Sequence, residues 1–182
     1  MRFWSALEFL TIIPSPVRSK PGLGQVEIGR SLVYFPLVGL LLGLILLGLD
    51  FLLRLFLPLQ VIGGILIAVM AVITGAIHLD GFMDTCDGLG GRTPERRLEI
   101  MKDSRVGAFG VVGVVILLLI KYGALVSLAP GLRTGALVLM PVLGRWAMAL
   151  GVTAYPYARV EGLGKAFVQQ ANWSRFWVAT GL

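Results

Sequence analysis

Long apolar stretches alternate with short polar ones along the chain, and four of the apolar stretches are long enough to be membrane-spanning helices. A helix needs about 20 mostly apolar residues to cross a bilayer, so we predict spans at residues 31–57, 61–77, 107–129 and 134–153. Residues 130–133 then form the turn between the last two spans. A further apolar run, residues 173–182, is too short to cross, and we expect the chain to be C-terminally truncated there.

The N-terminal segment has a different pattern. Within residues 2–13, Phe3, Leu7 and Leu10 share one helical face, and Pro14 cannot continue a helix. This pattern predicts a short helix lying at the membrane interface. Together, these elements predict an all-α integral membrane protein with a single membrane domain over residues 1–182. We expect a polytopic helical bundle of about four complete spans, a partial fifth span and the N-terminal interfacial helix.

Two features inside the first predicted span indicate helix packing. Gly39 and Gly43 are four residues apart, and small residues at this spacing let another helix approach closely. Asp50 and Arg54 are also four apart, so their side chains meet on one helical face. We interpret these two as a structural ion pair, with a role in a transport path as the alternative.

The composition excludes a soluble globular domain, because 57% of the residues are hydrophobic, only 14% are charged and the mean hydropathy is +0.86. The net charge of +6 does not indicate nucleic-acid binding, because the basic residues are scattered among apolar spans. Four spans place most of them on one side of the membrane, which the positive-inside rule assigns to the cytoplasm. These are Arg2, Arg18, Lys20, Arg30, Arg92, Arg96, Arg97, Lys102, Arg105, Arg159, Lys165 and Arg175. Only Arg54 and Arg133 fall on the other side. The sequence does not determine the oligomeric state.

One stretch, residues 78–107, concentrates the polar chemistry of the chain, and we call it the polar segment. It contains six of the ten acidic residues, five of the sixteen lysines and arginines, and the only His and Cys. The predicted topology places it on the cytoplasmic side. We expect a membrane scaffold to hold this segment at the bilayer surface for phosphate chemistry.

The first half of the polar segment carries regularly spaced carboxylates. Asp80, Asp84 and Asp87 are four and three residues apart, which places them within about 60° of one another on a helix that extends the second span. Such carboxylates repel each other unless a cation lies among them, and their hard oxygens select Mg²⁺, Mn²⁺ or Ca²⁺. The alternative is a solvated acidic helix end. We favour a divalent-metal site because the neighbouring glycines would let a phosphate or sugar approach the backbone. These glycines are Gly81, Gly88, Gly90 and Gly91.

The second half of the polar segment predicts a capped helix. Thr93 has the position of an N-cap, and a proline follows it at the first helical position, so we expect residues 94–105 to be helical. Asp103 lies near the end of this stretch and is flanked by Lys102 and Arg105. An acid between two bases, beside a carboxylate cluster, fits a metal ligand or general base with phosphate-binding cations. A salt-bridged surface helix is the alternative.

Three other polar residues have less decisive surroundings. His78 precedes the first carboxylate and could orient it or donate to a phosphate, but a solvated histidine explains the position equally well. Cys86 lies between two candidate ligands, and we interpret it as a small packing residue because a thiol does not suit a hard metal. Arg145 lies inside the fourth span, where a buried arginine is a candidate for function. It could reach a phosphate at the polar segment or pair with Asp80 or Asp103.

The polar segment also resembles a known family. Two motifs, H-L-D-G-F-M-D-T-C-D-G-L-G-G at residues 78–91 and L-E-I-M-K-D-S-R-V-G-A-F-G at residues 98–110, are similar to the signature of adenosylcobinamide-GDP ribazoletransferases, the cobalamin synthase family. The likeness extends to F-L-T-I-I-P-S-P, Y-F-P-L-V-G-L-L-L-G and P-V-L-G-R-W-A-M, so it covers essentially the whole chain. Ile12 stands where members usually carry a basic residue, and members are generally longer, with further spans.

The resemblance implies a Mg²⁺-dependent transferase of the bacterial or archaeal inner membrane, with its active site facing the cytoplasm. The 5′ oxygen of α-ribazole, or of its 5′-phosphate, would attack the cobinamide-bearing phosphorus of adenosylcobinamide-GDP, and GMP would leave. The implied metal ligands are Asp80, Asp84, Asp87 and Asp103. The implied catalytic residues are Asp103, as general base, with Lys102 and Arg105. The implied substrate-binding residues are Arg92, Arg145, Gly88, Gly91 and His78. Spacing does not decide which carboxylate is the base and which are ligands.

Two other functions compete with this interpretation. The stretch D-T-C-D-G-L-G-G-R, residues 84–92, is similar to the opening of the CDP-alcohol phosphotransferase motif. The rest of that motif would need Gly, Asp and Asp where this chain has Met101, Arg105 and Phe109. A cation transporter could use the acidic cluster with Asp50 as a relay. Its carboxylates would be expected along the spans, however, whereas here they crowd one surface.

Overall fold

The structure, a computed structural model, describes residues 2–16, 25–159, 162 and 164–182, and every regular element in these ranges is helical. This confirms the predicted all-α fold. The helices are α1 (Arg2–Leu10), α2 (Gln25–Arg30), α3 (Phe35–Leu53), α4 (Leu59–Ile73), α5 (Ile77–Gly88), α6 (Pro94–Ile100), α7 (Ala108–Ser127), α8 (Pro130–Ala154), α9 (Lys165–Gln170) and α10 (Trp173–Gly181), and a short 3₁₀ turn (Ser31–Tyr34) joins α2 to α3.

The helices form two compact units. The first unit contains α1 to α3 and α8 to α10, and the second contains α4 to α7. The polar segment lies wholly in the second unit. The prediction of a single membrane domain over residues 1–182 stays a prediction.

Three helical segments are long and apolar enough to cross a membrane. They are Val26–Leu53, Ala108–Ser127 and Pro130–Ala154, and they coincide with the first, third and fourth predicted spans within a few residues. The N-terminal helix predicted within residues 2–13 is present as α1, and the short run predicted at the C-terminus is present as α10. A multi-pass membrane fold therefore follows from length and composition, with three spans or four depending on the pair α4 and α5.

The second predicted span is shorter than expected. The helix α4 ends at Ile73, so its 15 residues reach only about 22 Å, less than the hydrocarbon core of about 30 Å. Gly75 and Ala76 follow in left-handed conformations, with φ of 59° and 56°, and α5 leaves at 90° to α4. The Gly75 N–H donates to the Val72 carbonyl and the Ala76 N–H to the Ala71 carbonyl, the Schellman pattern that ends helices at glycine. The carboxylates therefore lie on a separate helix, and the predicted extension of the second span is wrong.

In the first unit, α3 and α8 pack closely side by side in opposite directions. A Cβ on Gly39 would lie 2.5 Å from the Pro141 carbonyl oxygen, and one on Gly43 would lie 2.7 Å from the Cα of Val138. Neither position has room for a side chain. These contacts confirm the prediction that small residues in the first span let another helix approach.

A buried charge network joins the far ends of α3 and α8. The Arg54 Nε donates to Oδ2 of Asp50 over 2.8 Å, which confirms the predicted ion pair. The other oxygen, Oδ1, accepts from Nε and Nη2 of Arg133 over 3.0 and 2.9 Å.

The prediction that residues 130–133 form a turn is wrong, because Pro130 occupies the first helical position of α8 and Arg133 is buried inside that helix. Its charge is therefore neutralised by a carboxylate rather than exposed to solvent.

Candidate functional site

The three carboxylates of the polar segment lie on α5, in the second unit. Residues 80, 84 and 87 all fall inside Ile77–Gly88, so the helix places Asp80, Asp84 and Asp87 within about 60° of one another, as the spacing predicts. Asp80 is exposed, whereas Asp84 and Asp87 are half-buried. The carboxylate face predicted from the sequence is therefore present, and its members differ in their surroundings.

Asp87 binds the beginning of the next long helix. Its Oδ2 accepts from the Gly107 backbone N–H over 2.8 Å, and its Oδ1 accepts from the Gly110 N–H, also over 2.8 Å. Gly107 is the N-cap residue of α7 and has no side chain to cap that helix itself. Since the first N–H groups of a helix have no partner within it, the Asp87 carboxylate provides the missing cap from a different helix. Its negative charge also suits the positive end of the helix dipole.

Three glycines spaced three apart on α7 make this contact sterically feasible. A Cβ on Gly107 would overlap the Asp87 carboxylate, and one on Gly110 would lie 2.5 Å from its Oδ2. A Cβ on Gly113 would lie 2.6 Å from the Sγ of Cys86. Glycine inside a helix costs about 1 kcal/mol relative to alanine, so three glycines at this spacing need a structural reason. The close approach of α5 to Gly107, Gly110 and Gly113, the glycine stripe, provides that reason. The contact with Gly113 also agrees with the interpretation of Cys86 as a packing residue.

The N-cap predicted at Thr93, before the helix in the second half of the polar segment (α6), is confirmed. The Thr93 hydroxyl accepts from the Arg96 N–H over 3.2 Å, with Pro94 at the first helical position of α6. On the surface of α6, Arg96 forms an ion pair with Glu99 at 2.6 Å. The helix therefore begins where its sequence predicts.

Two of the predicted substrate-binding glycines, Gly88 and Gly91, lie against side chains of α6 and of its C-cap residue. A Cβ on Gly88 would lie 2.8 Å from Cγ of Met101, and one on Gly91 would lie 2.8 Å from Cγ of Arg97. The Arg97 Nε also donates to the Gly91 carbonyl over 2.9 Å. These glycines make room for protein atoms, and the predicted approach of a phosphate or sugar to them stays a prediction.

The helix α6 is shorter than predicted. It ends at Ile100, with Met101 as its C-cap, so Asp103 lies in the loop after the helix rather than on it. The Lys102 and Asp103 N–H groups already bond three residues back, and the Asp103 Oδ1 accepts from the Arg105 N–H two residues on, over 3.0 Å. Aspartate forms such local turns in competition with the helix, which explains the early end.

Asp103 and Arg105 form a tight pair in this loop. The Arg105 Nη2 donates to Oδ2 of Asp103 over 2.7 Å, and its Nε lies 3.1 Å from both carboxylate oxygens. The side-chain hydrogen bond from Arg105, followed by its backbone hydrogen bond, lowers the pKa of Asp103 to about 2. A general base works best with a pKa near the operating pH, so Asp103 in this arrangement is a weak base.

The remaining predicted residues are spread over both units. Arg92 and Lys102 are exposed at the polar segment, and His78 is half-buried at the start of α5. Arg145 lies in α8 of the first unit, buried as predicted, and its Nε and Nη2 have no hydrogen-bond partner among the described residues. Its predicted substrate contact stays a prediction, as does its alternative pairing with a carboxylate.

The predicted ligand set does not form a compact metal cluster in the described ranges. There, no three His, Cys, Asp or Glu side chains are grouped to hold one ion. Asp87 is engaged by backbone N–H groups and Asp103 by Arg105. Asp80 and Asp84 lie four residues apart on α5, and i, i+4 residues lie about 5 to 6 Å apart at their Cβ atoms.

Sequence reasoning missed the partner of Asp87 and the glycine stripe that admits it. A signal was present, since Gly107, Gly110 and Gly113 recur every third residue at the start of an otherwise strongly apolar helix. Glycines at this spacing predict a close neighbour, but they do not identify it.

Comparison with known proteins gives one consistent result. The sequence model of the family described as Cobalamin-5-phosphate synthase matches residues 2–182. A protein from Geotalea daltonii named adenosylcobinamide-GDP ribazoletransferase is 46% identical over 173 residues, 93% of this chain and 68% of that protein. Proteins of the same name from Desulfitobacterium hafniense and Syntrophobacter fumaroxidans are 44% and 42% identical, over 99% of this chain and 71% and 73% of their own lengths. No solved structure matches.

Proposed function

The chain belongs to the cobalamin-5-phosphate synthase family, and from this premise we propose that it is an adenosylcobinamide-GDP ribazoletransferase. In the proposed reaction, a free ribose hydroxyl of α-ribazole, or of its 5′-phosphate, loses its proton and forms a bond to the cobinamide-bearing phosphorus of adenosylcobinamide-GDP. The 5′ oxygen expected from the sequence cannot serve both substrates, because in the 5′-phosphate it is already esterified and the product keeps that ester. The bond from that phosphorus to the GMP oxygen breaks, and GMP leaves with the bonding electrons. The products are adenosylcobalamin, or its 5′-phosphate, and GMP.

The observation that supports this proposal most is the family match over the whole chain, with relatives of one name at over 40% identity. The structure adds a chemical reason to place the reaction at the polar segment. There, α5 presents carboxylates on one face, and the loop after α6 adds Lys102 and Arg105 as exposed cations. Carboxylates and cations together suit a diphosphate with its metal, because both the metal and the cations offset phosphate charge.

We propose that Asp80 and Asp84 hold Mg²⁺. The residues fit this ion, because Mg²⁺ prefers hard oxygen ligands and is usually bound by one or two carboxylates together with waters and substrate phosphates. A larger protein cluster is therefore not required. When bound, Mg²⁺ would neutralise charge on the diphosphate and on the departing GMP.

The loop after α6 is proposed to bind the substrate's phosphates. The pair with Asp103 orients the Arg105 guanidinium. Lys102, three residues earlier in the same loop, and Arg92, between α5 and α6, are also exposed cations. Because the pKa of Asp103 is lowered to about 2, we assign this residue to orienting Arg105 rather than to accepting the hydroxyl proton.

We propose that the protein resides in the bacterial or archaeal inner membrane with this loop in the cytoplasm. The basic residues favour that orientation, because they concentrate around the polar segment and the ends of α2 and α8. On the far ends of α3 and α8, Arg54 and Arg133 share the carboxylate of Asp50, which reduces the positive charge there.

The proposal is tested with the full chain purified in detergent. Adenosylcobinamide-GDP, α-ribazole and Mg²⁺ should yield adenosylcobalamin and GMP in equal amounts, measured by mass spectrometry. Removal of divalent ions by chelation should stop the reaction, and added Mg²⁺ should restore it. A detergent micelle has no sealed compartments, so turnover there excludes a pure transporter. No product in detergent, with substrate-dependent cation flux in vesicles, would overturn the proposal.

A further inference from the structure

We infer that Asp87 is a positioning residue, whose carboxylate holds α5 on the N-terminus of α7 and thereby places Asp84 for the reaction. The inference rests on the proposed function, because Asp84 matters only if the polar segment is the reaction site. It departs from the sequence-based interpretation, in which Asp87 is one of four implied metal ligands.

The first support is the geometry of the carboxylate. Both oxygens of Asp87 accept a backbone N–H over 2.8 Å, one from Gly107 and one from Gly110. These donors come from the N-cap and the third residue of α7, the two N–H groups that a capping box satisfies. Both oxygens of the Asp87 carboxylate are therefore already bound to backbone N–H groups of the protein. Metal binding alone would not require these two bonds.

The second support is the glycine stripe. Alanine at position 110 would put a Cβ 2.5 Å from the Asp87 Oδ2 and 3.1 Å from the Met83 carbonyl. At the next step along the stripe, Gly113 leaves room for Cys86, the neighbour of Asp87 on α5. Glycines at every third position from the N-cap of α7 therefore let α5 and the Asp87 carboxylate approach this helix closely.

The consequence for the site follows from helix geometry. Asp84 lies three residues before Asp87 on the same helix, so the two residues share a face. Since the two hydrogen bonds tie Asp87 to the start of α7, they also limit how far Asp84 can move relative to that helix. Loss of the cap should therefore lower turnover by misplacing Asp84, without removing a ligand.

The experiment compares Asp87→Asn with Gly110→Ala, using Gly123→Ala as the matched control on the same helix. A Cβ at position 123 meets nothing within 4 Å, so this variant adds a methyl group to α7 without touching α5. Amide hydrogen exchange is measured in the full chain in detergent without Mg²⁺. Exchange of the Gly107 and Gly110 amides should rise about tenfold or more in Asp87→Asn, because a hydrogen bond to a charged group is lost. The control should show native protection.

Kinetics then separate positioning from metal binding. Asp87→Asn should lower kcat with the Mg²⁺ concentration for half-maximal rate unchanged, whereas Asp84→Asn should raise that concentration. Gly110→Ala, whose added Cβ would press against the Asp87 carboxylate, should reproduce the loss in kcat. The double variant with Asp87→Asn should be no worse than either single variant. A merely structural role would lower the yield of folded protein and leave kcat per folded molecule unchanged.

Two results would overturn the inference. One is native amide protection at Gly110 in Asp87→Asn. The other is an increased Mg²⁺ requirement in Asp87→Asn that matches that of Asp84→Asn, since this would make Asp87 a ligand. If the native protein has no turnover but the amides lose protection in Asp87→Asn, the proposed function fails and the contact stands. If Asp87→Asn does not fold, the amide exchange and kinetics of Gly110→Ala decide.

Discussion

The buried network around Asp50 gives a stability prediction that does not depend on any assigned activity. Asp50 and Arg133 expose only 3% and 1% of their surface, whereas the Arg54 side chain is about one-third exposed. We consider the change Asp50→Asn, which keeps the shape of the side chain but removes its charge. Arg133 would then lose the carboxylate that binds its Nε and Nη2, while it stays buried beside a second guanidinium.

The size of the effect follows from the burial of the partner. Breaking a buried ion pair by removing one member costs about 3 to 5 kcal/mol, because the other charge stays buried and uncompensated. For a chain of this size, that corresponds to a fall in melting temperature of about 6 °C or more. The change Arg54→Gln should cost about 1 kcal/mol or less, because Arg54 is partly exposed and Asp50 keeps Arg133.

The assay is thermal unfolding of the purified variants in one detergent, with each single change compared with the double variant Asp50→Leu with Arg133→Leu. Replacing both members of a buried pair by apolar residues is often neutral or stabilising, so the double variant should recover most of the loss. If Asp50→Asn lowers the free energy of unfolding by less than about 1 kcal/mol, the assignment of Asp50 as the buried counter-ion is refuted. So would equal losses in Asp50→Asn and Arg54→Gln.

Three further predictions concern the second unit. Gly113→Cys should form a disulfide with Cys86 under mild oxidation, because a Cβ at position 113 would lie 3.3 Å from the Cβ of Cys86, near the usual disulfide range of about 3.5 to 4.5 Å. After proteolysis between the two positions, the fragments should stay joined on a non-reducing gel, whereas Gly123→Cys should give separate fragments. Thr93→Ala should destabilise the start of α6 by about 1 kcal/mol, measured by amide exchange. Asp103→Asn should leave the pH dependence of kcat unchanged between about pH 5 and 8.

The sign of the pH prediction follows from the lowered pKa. The stabilising pair of Asp103 is fully present above the ordinary carboxyl pKa of 3.8 and is lost only as the pH falls through about 2. An acid limb near neutral pH that disappears in Asp103→Asn would contradict this account. Separate fragments from oxidised Gly113→Cys would contradict the packing of α5 on α7. Unchanged exchange in α6 would show that the Thr93 cap does not stabilise that helix.

Local signals in the sequence predicted local structure well. The apolar stretches mark the long helices, and Thr93 followed by proline marks the start of α6, because spans and caps depend on neighbouring residues. Gly75 was an available but unused signal. It ends α4 inside a stretch that is apolar throughout, where hydropathy alone indicates one continuous helix.

Long-range partners could not be predicted in the same way. Arg133 follows a Pro-Gly pair that suggests a turn, and its burial depends on Asp50, 83 residues earlier. The donors to Asp87 lie 20 and 23 residues away, so its spacing from the other carboxylates suggested a metal ligand. Residue spacing predicts a helix that includes Asp103, but the contact of Asp103 with Arg105 ends that helix early. In each case, a tertiary or side-chain contact decides the role of a charge that spacing alone leaves open.

The central claim is that a carboxylate of α5 supports GMP release from adenosylcobinamide-GDP, and one comparison tests it most directly. GMP release is measured in detergent with α-ribazole and saturating Mg²⁺ for the native chain, Asp84→Asn and the charge-matched control Glu95→Gln, an exposed acid on α6. We predict that Asp84→Asn lowers the rate at least a hundredfold, about 2.7 kcal/mol of transition-state stabilisation, while Glu95→Gln stays near the native rate. Near-native release by folded Asp84→Asn would contradict the claim.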